Sequence, residues 1–339
     1  MFKKISIIGG GSWGTALALL ISEHGLPVTI WAHNPAVAEE INSRHANSHY
    51  LPGINLPENI HATSELGALA GSDLIVVVVP SKVMRETARS LAALNLPTGT
   101  AVVSCTKGIE SGTGLLMSQV LGEFLSQCRL AVLSGPNLAP EIARQIPAAS
   151  VIGSGHADLL DPLQRVLSSK AFRAYTSDDI TGIQLGGALK NIYAIAAGVC
   201  DGFGMGDNAK AALVTRSLAE MTRLGIAMGG RRETFFGLSG AGDLMVTCFS
   251  KHSRNRQFGE RLGRGEKPAE IIASLKTVAE GVPTALGASQ CAKRLGIDAP
   301  ITAEVCAVLH EGKPPSESIS CLLGRPPKQE NDPPSARVS

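Results

Sequence analysis

Aromatic residues are scarce, at 4% of the 339-residue chain, with two Trp and three Tyr. That leaves little for a surface that stacks on nucleic-acid bases. Neither sign of charge dominates: 31 Lys and Arg against 29 Asp and Glu give a formal net charge of +2. The only dense basic stretch is 251–264, so nucleic acid is not an expected partner. The seven cysteines (105, 128, 200, 248, 291, 306 and 321) are dispersed and form no C-x-x-C pair. A disulfide framework or zinc centre needs clustered spacing, so reduced thiols in a cytoplasmic protein are expected. No His/Cys/Asp cluster has ligand spacing, and no metal is expected.

Long apolar runs are also missing. Lys3 and Lys4 precede an uncharged stretch, 5–22, that superficially resembles a signal peptide. Gly9, Gly10, Gly11, Ser12 and Gly14 interrupt it, and its pattern changes from a β-branched run to an Ala/Leu-rich helix. Nowhere else does a segment read as long and apolar enough to span a bilayer, so no membrane insertion is expected.

What is present is glycine, 37 residues of it, within a chain that is 44% hydrophobic. This composition suits close helix–sheet and helix–helix packing, and the length suits two domains. Strand-like apolar runs at 4–8, 27–31, 73–80, 101–104, 130–134 and 150–153 alternate with helical ones at 13–24 and 64–70. Unbroken runs such as Leu74-Ile-Val-Val-Val-Val79 suit strands buried on both faces of a parallel sheet. From 181 onward the pattern is helical: 181–199, 208–224, 254–262, 267–274, 284–295 and 299–309. The expected fold is an α/β Rossmann-like doubly wound domain over 1–177 and an all-α domain over 178–325. The proline-rich polar stretch 326–339 is expected to be a disordered tail.

Gly9, Gly11 and Gly14 fit G-x-G-x-x-G directly after Ile5-Ser-Ile-Ile8 and at the head of an Ala/Leu-rich helix. In that context Gly9 permits the tight turn, Gly11 lets a pyrophosphate approach the backbone, and Gly14 lets helix pack on strand. The second strand ends at Trp31-Ala-His33-Asn34, with no acid before Glu39 to take the ribose hydroxyls. His33 can instead donate to a 2′-phosphate, with Arg44 expected nearby, so NADP(H) is expected to be accepted. The alternative is that His33 is an ordinary surface residue.

Function must come from elsewhere in the chain. Lys190 lies in a helix that is apolar nearly all round, where a cation is costly unless paired or functional. Burial can lower a lysine pKa by up to about 3–5 units, which suits proton exchange with a carbonyl or hydroxyl. A snorkelling lysine or a structural ion pair is the competing reading. Lys107 follows a strand's C-terminal end, the edge where open α/β sheets bind ligands. Asp243, in a Gly-Ala-Gly-Asp loop, can pair with Lys190 or simply cap a helix. Ser253-Arg254-Asn255-Arg256 offers a guanidinium fork and neutral donors to a phosphate, or is a solvated charged face.

Taken in order, GGGSWGTALA (9–18), YLPGINLP (50–57), CTKGIE (105–110), SGPNLAPE (134–141), ALKNIYAIAAG (188–198), GLSGAGDL with SRNRQFG (237–244, 253–259) and VAEG (278–281) resemble the motifs of NAD(P)-dependent glycerol-3-phosphate dehydrogenases. The stretch 308–315 is similar to the bacterial branch. The resemblance covers residues 2 to about 329. It implies reversible reduction of dihydroxyacetone phosphate to sn-glycerol 3-phosphate with NADP(H) or NAD(H), feeding glycerophospholipid synthesis. It further implies Lys190 as general acid/base, and Lys107 and Asp243 as orienting groups. Gly135, Asn137, Ser253, Arg254 and Asn255 would line the substrate site. Ser12, Trp13, His33, Tyr50, Lys107, Ala139, Arg254, Val278 and Glu280 match cofactor-contacting positions, with Gly9, Gly11 and Gly14 forming the loop. A homodimer is common in the family, though no stripe in this sequence marks an interface. Three positions depart from the pattern: Asn137 replaces a small hydroxyl residue, Leu138 a Phe, and Gly10 an Ala. The competing functions are a related dehydrogenase acting on a hydroxyacid or acyl-CoA, and a non-catalytic NADP(H) sensor.

Overall fold

The computed structural model describes residues 2–275 and 279–330. They fall into two compact units, one comprising residues up to 107 together with 116–184, the other 108–115 together with the chain from 185.

The first unit is built on eight strands: β1 (Ile5–Ile8), β2 (Val28–Trp31), β3 (Ile60–Thr63), β4 (Leu74–Val77), β5 (Ala101–Ser104), β6 (Arg129–Ser134), β7 (Ala148–Ser154) and β8 (Phe172–Ser177). They form one sheet in the order β3-β2-β1-β4-β5-β6-β7-β8. β1, β4 and β5 are buried along their whole length, as their unbroken Ile/Val/Leu runs require. In register, Ile5 pairs with Val28 on one side and Leu74 on the other. The strand order reverses between β1 and β4, which puts the C-terminal ends of β1, β2 and β4 around a topological switch point.

One pair departs from a purely parallel sheet: β6 and β7 run antiparallel. The connection between them holds only the four-residue helix Ala139–Ile142, so the chain folds back at the same edge instead of crossing over. β3, β8 and the helices Pro35–Arg44, Met84–Ala92, Met117–Gly122 and Ala157–Val166 complete this unit beyond the elements expected from the sequence.

The second unit is helical. Its division from the first falls after Gln184, inside the helix Ile180–Gly202, where the sequence placed a boundary at 178. This helix has the length and apolarity to cross a membrane, contrary to the expectation that no such segment exists. Within the protein, 89% of its most apolar stretch is buried, which makes it a core helix. The parallel helix Arg254–Gly263 lies against it through glycines. A Cβ on Gly198 would overlap Arg256 O, and one on Gly259 would overlap Ile195 O. Backbones thereby approach at a distance that any side chain would prevent.

At the chain's end, the Arg325 guanidinium donates to the Asp298 carboxylate at 3.0 and 2.8 Å. Arg216 donates to Glu330 O at 3.3 Å. Within the stretch 326–339, residues 326–330 are described and exposed, and the rest lie outside the described residues.

Candidate active site

The glycine loop follows β1 and opens the helix Ser12–Ser22. Gly9 has φ 123°, and a Cβ there would overlap Val78 O. A Cβ on Gly14 would overlap Gly9 O, whereas one on Gly11 would meet no atom within 4 Å. Gly9 and Gly14 thus pack backbone on backbone, while Gly11 has open space beside it. Gly10, where the family pattern has Ala, faces Ala32, whose Cβ would lie 2.8 Å from an added one. The helix has Gly11 as its N-cap with no side-chain cap. Its first N–H groups and its dipole are therefore available to a pyrophosphate.

A turn around 47–53 braces this loop. Asn47, almost fully buried, donates from Nδ2 to Gly10 O at 2.9 Å and to Thr15 Oγ1 at 2.8 Å. Ser12 Oγ donates to Tyr50 O at 2.6 Å. Trp13 and Tyr50 both pack half-buried against the core of the first unit. Asn47 and this role of the Tyr50 carbonyl were missed in the sequence, where a lone Asn in a loop gives no signal of its burial.

His33 is exposed just past β2, with its ring centroid 6.0 Å from that of Trp31. Asn34 is not a ligand group in waiting: its Oδ1 accepts from Ala36 N at 3.0 Å and caps the helix Pro35–Arg44. Arg44 is the last residue of that helix.

At the ends of β5 and β6, Lys107 Nζ donates to Gly135 O at 3.1 Å. A Cβ on Gly135 would lie 2.7 Å from Ser150 Oγ. The same Ser150 hydroxyl is 2.6 Å from Asn137 Oδ1, to which it donates. Lys107, Gly135 and Asn137 are thus brought together at the strand edge where ligands of such sheets bind. Ala139 is buried at the start of the short helix that follows.

The second unit carries the other set. Lys190 is 7% exposed and Asp243 1%. Lys190 Nζ donates to Asp243 Oδ1 and to Thr247 Oγ1, each at 2.6 Å. Thr247 Oγ1 in turn donates to Asp243 O at 2.6 Å. Asp243 is not in a loop, as expected, but begins the helix Asp243–Phe249 after a π-type turn, Leu238–Gly242. It does not cap that helix, whose N-cap is Gly242. A Cβ on Gly240 would overlap Phe235 O, and one on Gly186, in the helix Ile180–Gly202, would lie 2.6 Å from Ser239 O. Two charges in this surrounding are sustained only because they face each other. Thr247 escaped the sequence reading, although its spacing of four from Asp243 puts both on one helical face.

Beside Lys190, Asn191 Oδ1 accepts from Asn255 Nδ2 at 2.9 Å, and Asn255 Oδ1 accepts from Gly281 N at 2.9 Å. Ser253 is the N-cap of Arg254–Gly263, its Oγ accepting from Arg256 N at 3.2 Å while its own proton can still be donated. Arg254 is exposed on the first turn. The protein around it lowers the Arg254 guanidinium, and the carboxylate of Glu280 opposes that shift. Arg256 turns away, 2.6 Å from Asp201 Oδ2. Of the VAEG motif, Glu280 is the N-cap of Gly281–Leu295, while Val278 lies outside the described residues. No group of three or more potential metal ligands occurs among the described residues.

These residues fall in two matched family models. NAD-dependent glycerol-3-phosphate dehydrogenase N-terminus matches residues 4–160, and NAD-dependent glycerol-3-phosphate dehydrogenase C-terminus matches 179–320. The chain is 47% identical over 333 residues to glycerol-3-phosphate dehydrogenase [NAD(P)+] of Syntrophotalea carbinolica, covering 97% of this chain and all of that one. It is 46% identical to the protein of the same name from Geobacter metallireducens, over 97% of this chain and 99% of the other. Among solved structures, glycerol-3-phosphate dehydrogenase from Coxiella burnetii superposes with a TM-score of 0.91 at 38% identity, over 95% and 99% of the two chains. By these matches over nearly its whole length, the chain belongs to the NAD-dependent glycerol-3-phosphate dehydrogenase family.

Proposed function

We propose that this protein catalyses the reversible NAD(P)H-dependent reduction of dihydroxyacetone phosphate to sn-glycerol 3-phosphate, feeding glycerophospholipid synthesis. The observation that carries the reading is the Lys190 ammonium, buried and held by Asp243 Oδ1 and Thr247 Oγ1 at 2.6 Å each. A bound reduced nicotinamide supplies the hydride. Lys190 Nζ gives its proton to the carbonyl oxygen of the substrate and becomes a neutral amine. In the oxidative direction the amine takes the proton back from the substrate hydroxyl. Asp243 fixes where that nitrogen sits, through a charge-assisted bond of about 1.5–3 kcal/mol. General acid–base catalysis of this kind contributes about 10²–10⁴ in rate.

The phosphate end is held, in this reading, by Ser253, Arg254 and Asn255 at the N-terminus of Arg254–Gly263, where the helix dipole adds to the guanidinium charge. Lys107, Gly135 and Asn137 orient the carbonyl end. On the cofactor side, the proposed contacting positions are Gly9, Gly11, Ser12, Trp13, Gly14, His33, Tyr50, Lys107, Ala139, Arg254, Val278 and Glu280. The exposed His33, with no carboxylate on its strand end, favours acceptance of NADP(H). A cytoplasmic location is supported by seven cysteines that are all unpaired, six of them buried. The assembly we propose is a homodimer, the habit of the family.

The test is loss of reduced-nicotinamide absorbance with purified protein and dihydroxyacetone phosphate, run with NADPH and NADH separately. Rapid oxidation is expected. No oxidation with either cofactor, by folded protein that binds NADPH, would overturn the substrate assignment.

A further inference from the structure

The motif 253–256 carries two arginines, and the proposed function uses one of them. Arg256 points elsewhere. Its Nε lies 2.6 Å from Asp201 Oδ2 and its Nη1 3.3 Å from Glu260 Oε2. Asp201 also receives Lys210, whose Nζ donates to both carboxylate oxygens at 2.9 and 2.8 Å. Lys210 is itself 7% exposed, with its nitrogen 4.9 Å from the centroid of the Phe249 ring. One carboxylate near the end of Ile180–Gly202 therefore grips two other helices. It holds Gly206–Ala227 through Lys210, and the first turn of Arg254–Gly263 through Arg256.

Cations this far withdrawn from water are costly unless a carboxylate faces them, so the three groups stand or fall together. We propose that Asp201 is a positioning residue: by clamping Lys210 and Arg256 at once, it fixes the turn that presents Ser253, Arg254 and Asn255 to the phosphate of the substrate. The proposal rests on the reading of that turn as the phosphate anchor. It also accounts for the second arginine of the motif, whose charge faces Asp201 and Glu260 and whose backbone N–H donates to the Ser253 cap.

The experiment uses Asp201→Asn in the full-length protein, which keeps the shape of the side chain and removes its charge. Four quantities are read: KM and kcat for dihydroxyacetone phosphate, Ki of inorganic phosphate competing with that substrate, and Kd of NADPH. KM and Ki are expected to rise together by about fivefold to tenfold, with kcat falling less than about threefold and the NADPH Kd, to which Arg254 contributes one contact among many, rising less than about threefold. An unchanged KM and Ki, whatever happens to Tm, overturns the proposal. So does a rise in KM, Ki and NADPH Kd alike, which marks a general structural role. Should Asp201→Asn fail to fold, Arg256→Lys keeps a cation near Asp201 but loses the planar fork, and is read in the same way. A wild-type protein that does not reduce dihydroxyacetone phosphate at all overturns the functional reading, and this one with it.

Discussion

In the proposed reading, His33 is the residue that faces the ribose of the dinucleotide. It is exposed beyond β2, and the side chain after it is committed to capping a helix. A carboxylate at 33 would accept from the ribose hydroxyls and repel a 2′-phosphate. His33→Asp is therefore expected to shift the ratio of kcat/KM toward NADH by about tenfold or more, read from parallel assays with the two cofactors. An unchanged ratio would show that His33 does not meet the ribose. At this scale much of the site was legible. Lys190 stood out because it is a lone cation in an apolar helix, and the glycine loop because its strand–turn–helix context is local. Thr247, Asn191 and Asn47 were not legible, since each earns its place through a partner 32 to 64 residues away. The partner of Arg256 was not legible for the same reason: Asp201 lies in a different helix.

Between elements, the contact that matters most is the glycine seam joining Ile180–Gly202 and Arg254–Gly263. An added Cβ at Gly198 would overlap Arg256 O and lie 2.7 Å from Glu260 N. Backbone atoms cannot swing aside as a flexible side chain can. Gly198→Ala is expected to lower stability by about 1–3 kcal/mol and to raise KM for dihydroxyacetone phosphate by displacing Asn255. Thermal denaturation alongside steady-state kinetics checks both, and wild-type values of both would contradict the seam as described. Most helices and the central strands could be read from periodicity, because long or unbroken apolar patterns dominate their windows. β3 and β8 could not. They are the strands at the two ends of the sheet, with exposed residues alternating with buried ones, and their polar positions blend into the neighbouring turns. The antiparallel β6–β7 pair was equally hidden, since strand direction depends on the path of a connection and not on the strands' composition.

For the whole molecule, the distribution of thiols reports on packing throughout the chain. Burial raises the thiols of Cys105, Cys128, Cys200, Cys248, Cys291 and Cys306, with Cys248 pushed up to about 12. A thiol so raised carries almost no thiolate near neutral pH and is shielded from reagents as well. Cys321 alone is exposed. Alkylation of the native protein at mildly alkaline pH is expected to modify Cys321 rapidly and the others only after unfolding, as followed by mass spectrometry. Comparable labelling of several buried thiols would show that the packing is looser than described. The division into an α/β portion and a helical portion was legible from the change of pattern alone. Assignment of residues 108–115 to the second unit was not, because an eight-residue excursion leaves no trace in composition or periodicity.

The central claim is that Lys190 moves the proton while other residues hold the cofactor. Lys190→Ala tests it most directly, with kcat for dihydroxyacetone phosphate reduction and the Kd of NADPH measured on the same preparation. A loss in kcat of about 10²–10⁴ is expected, with NADPH affinity preserved. Turnover within about threefold of wild type, at full cofactor affinity, would contradict it and return Lys190 to a structural ion pair.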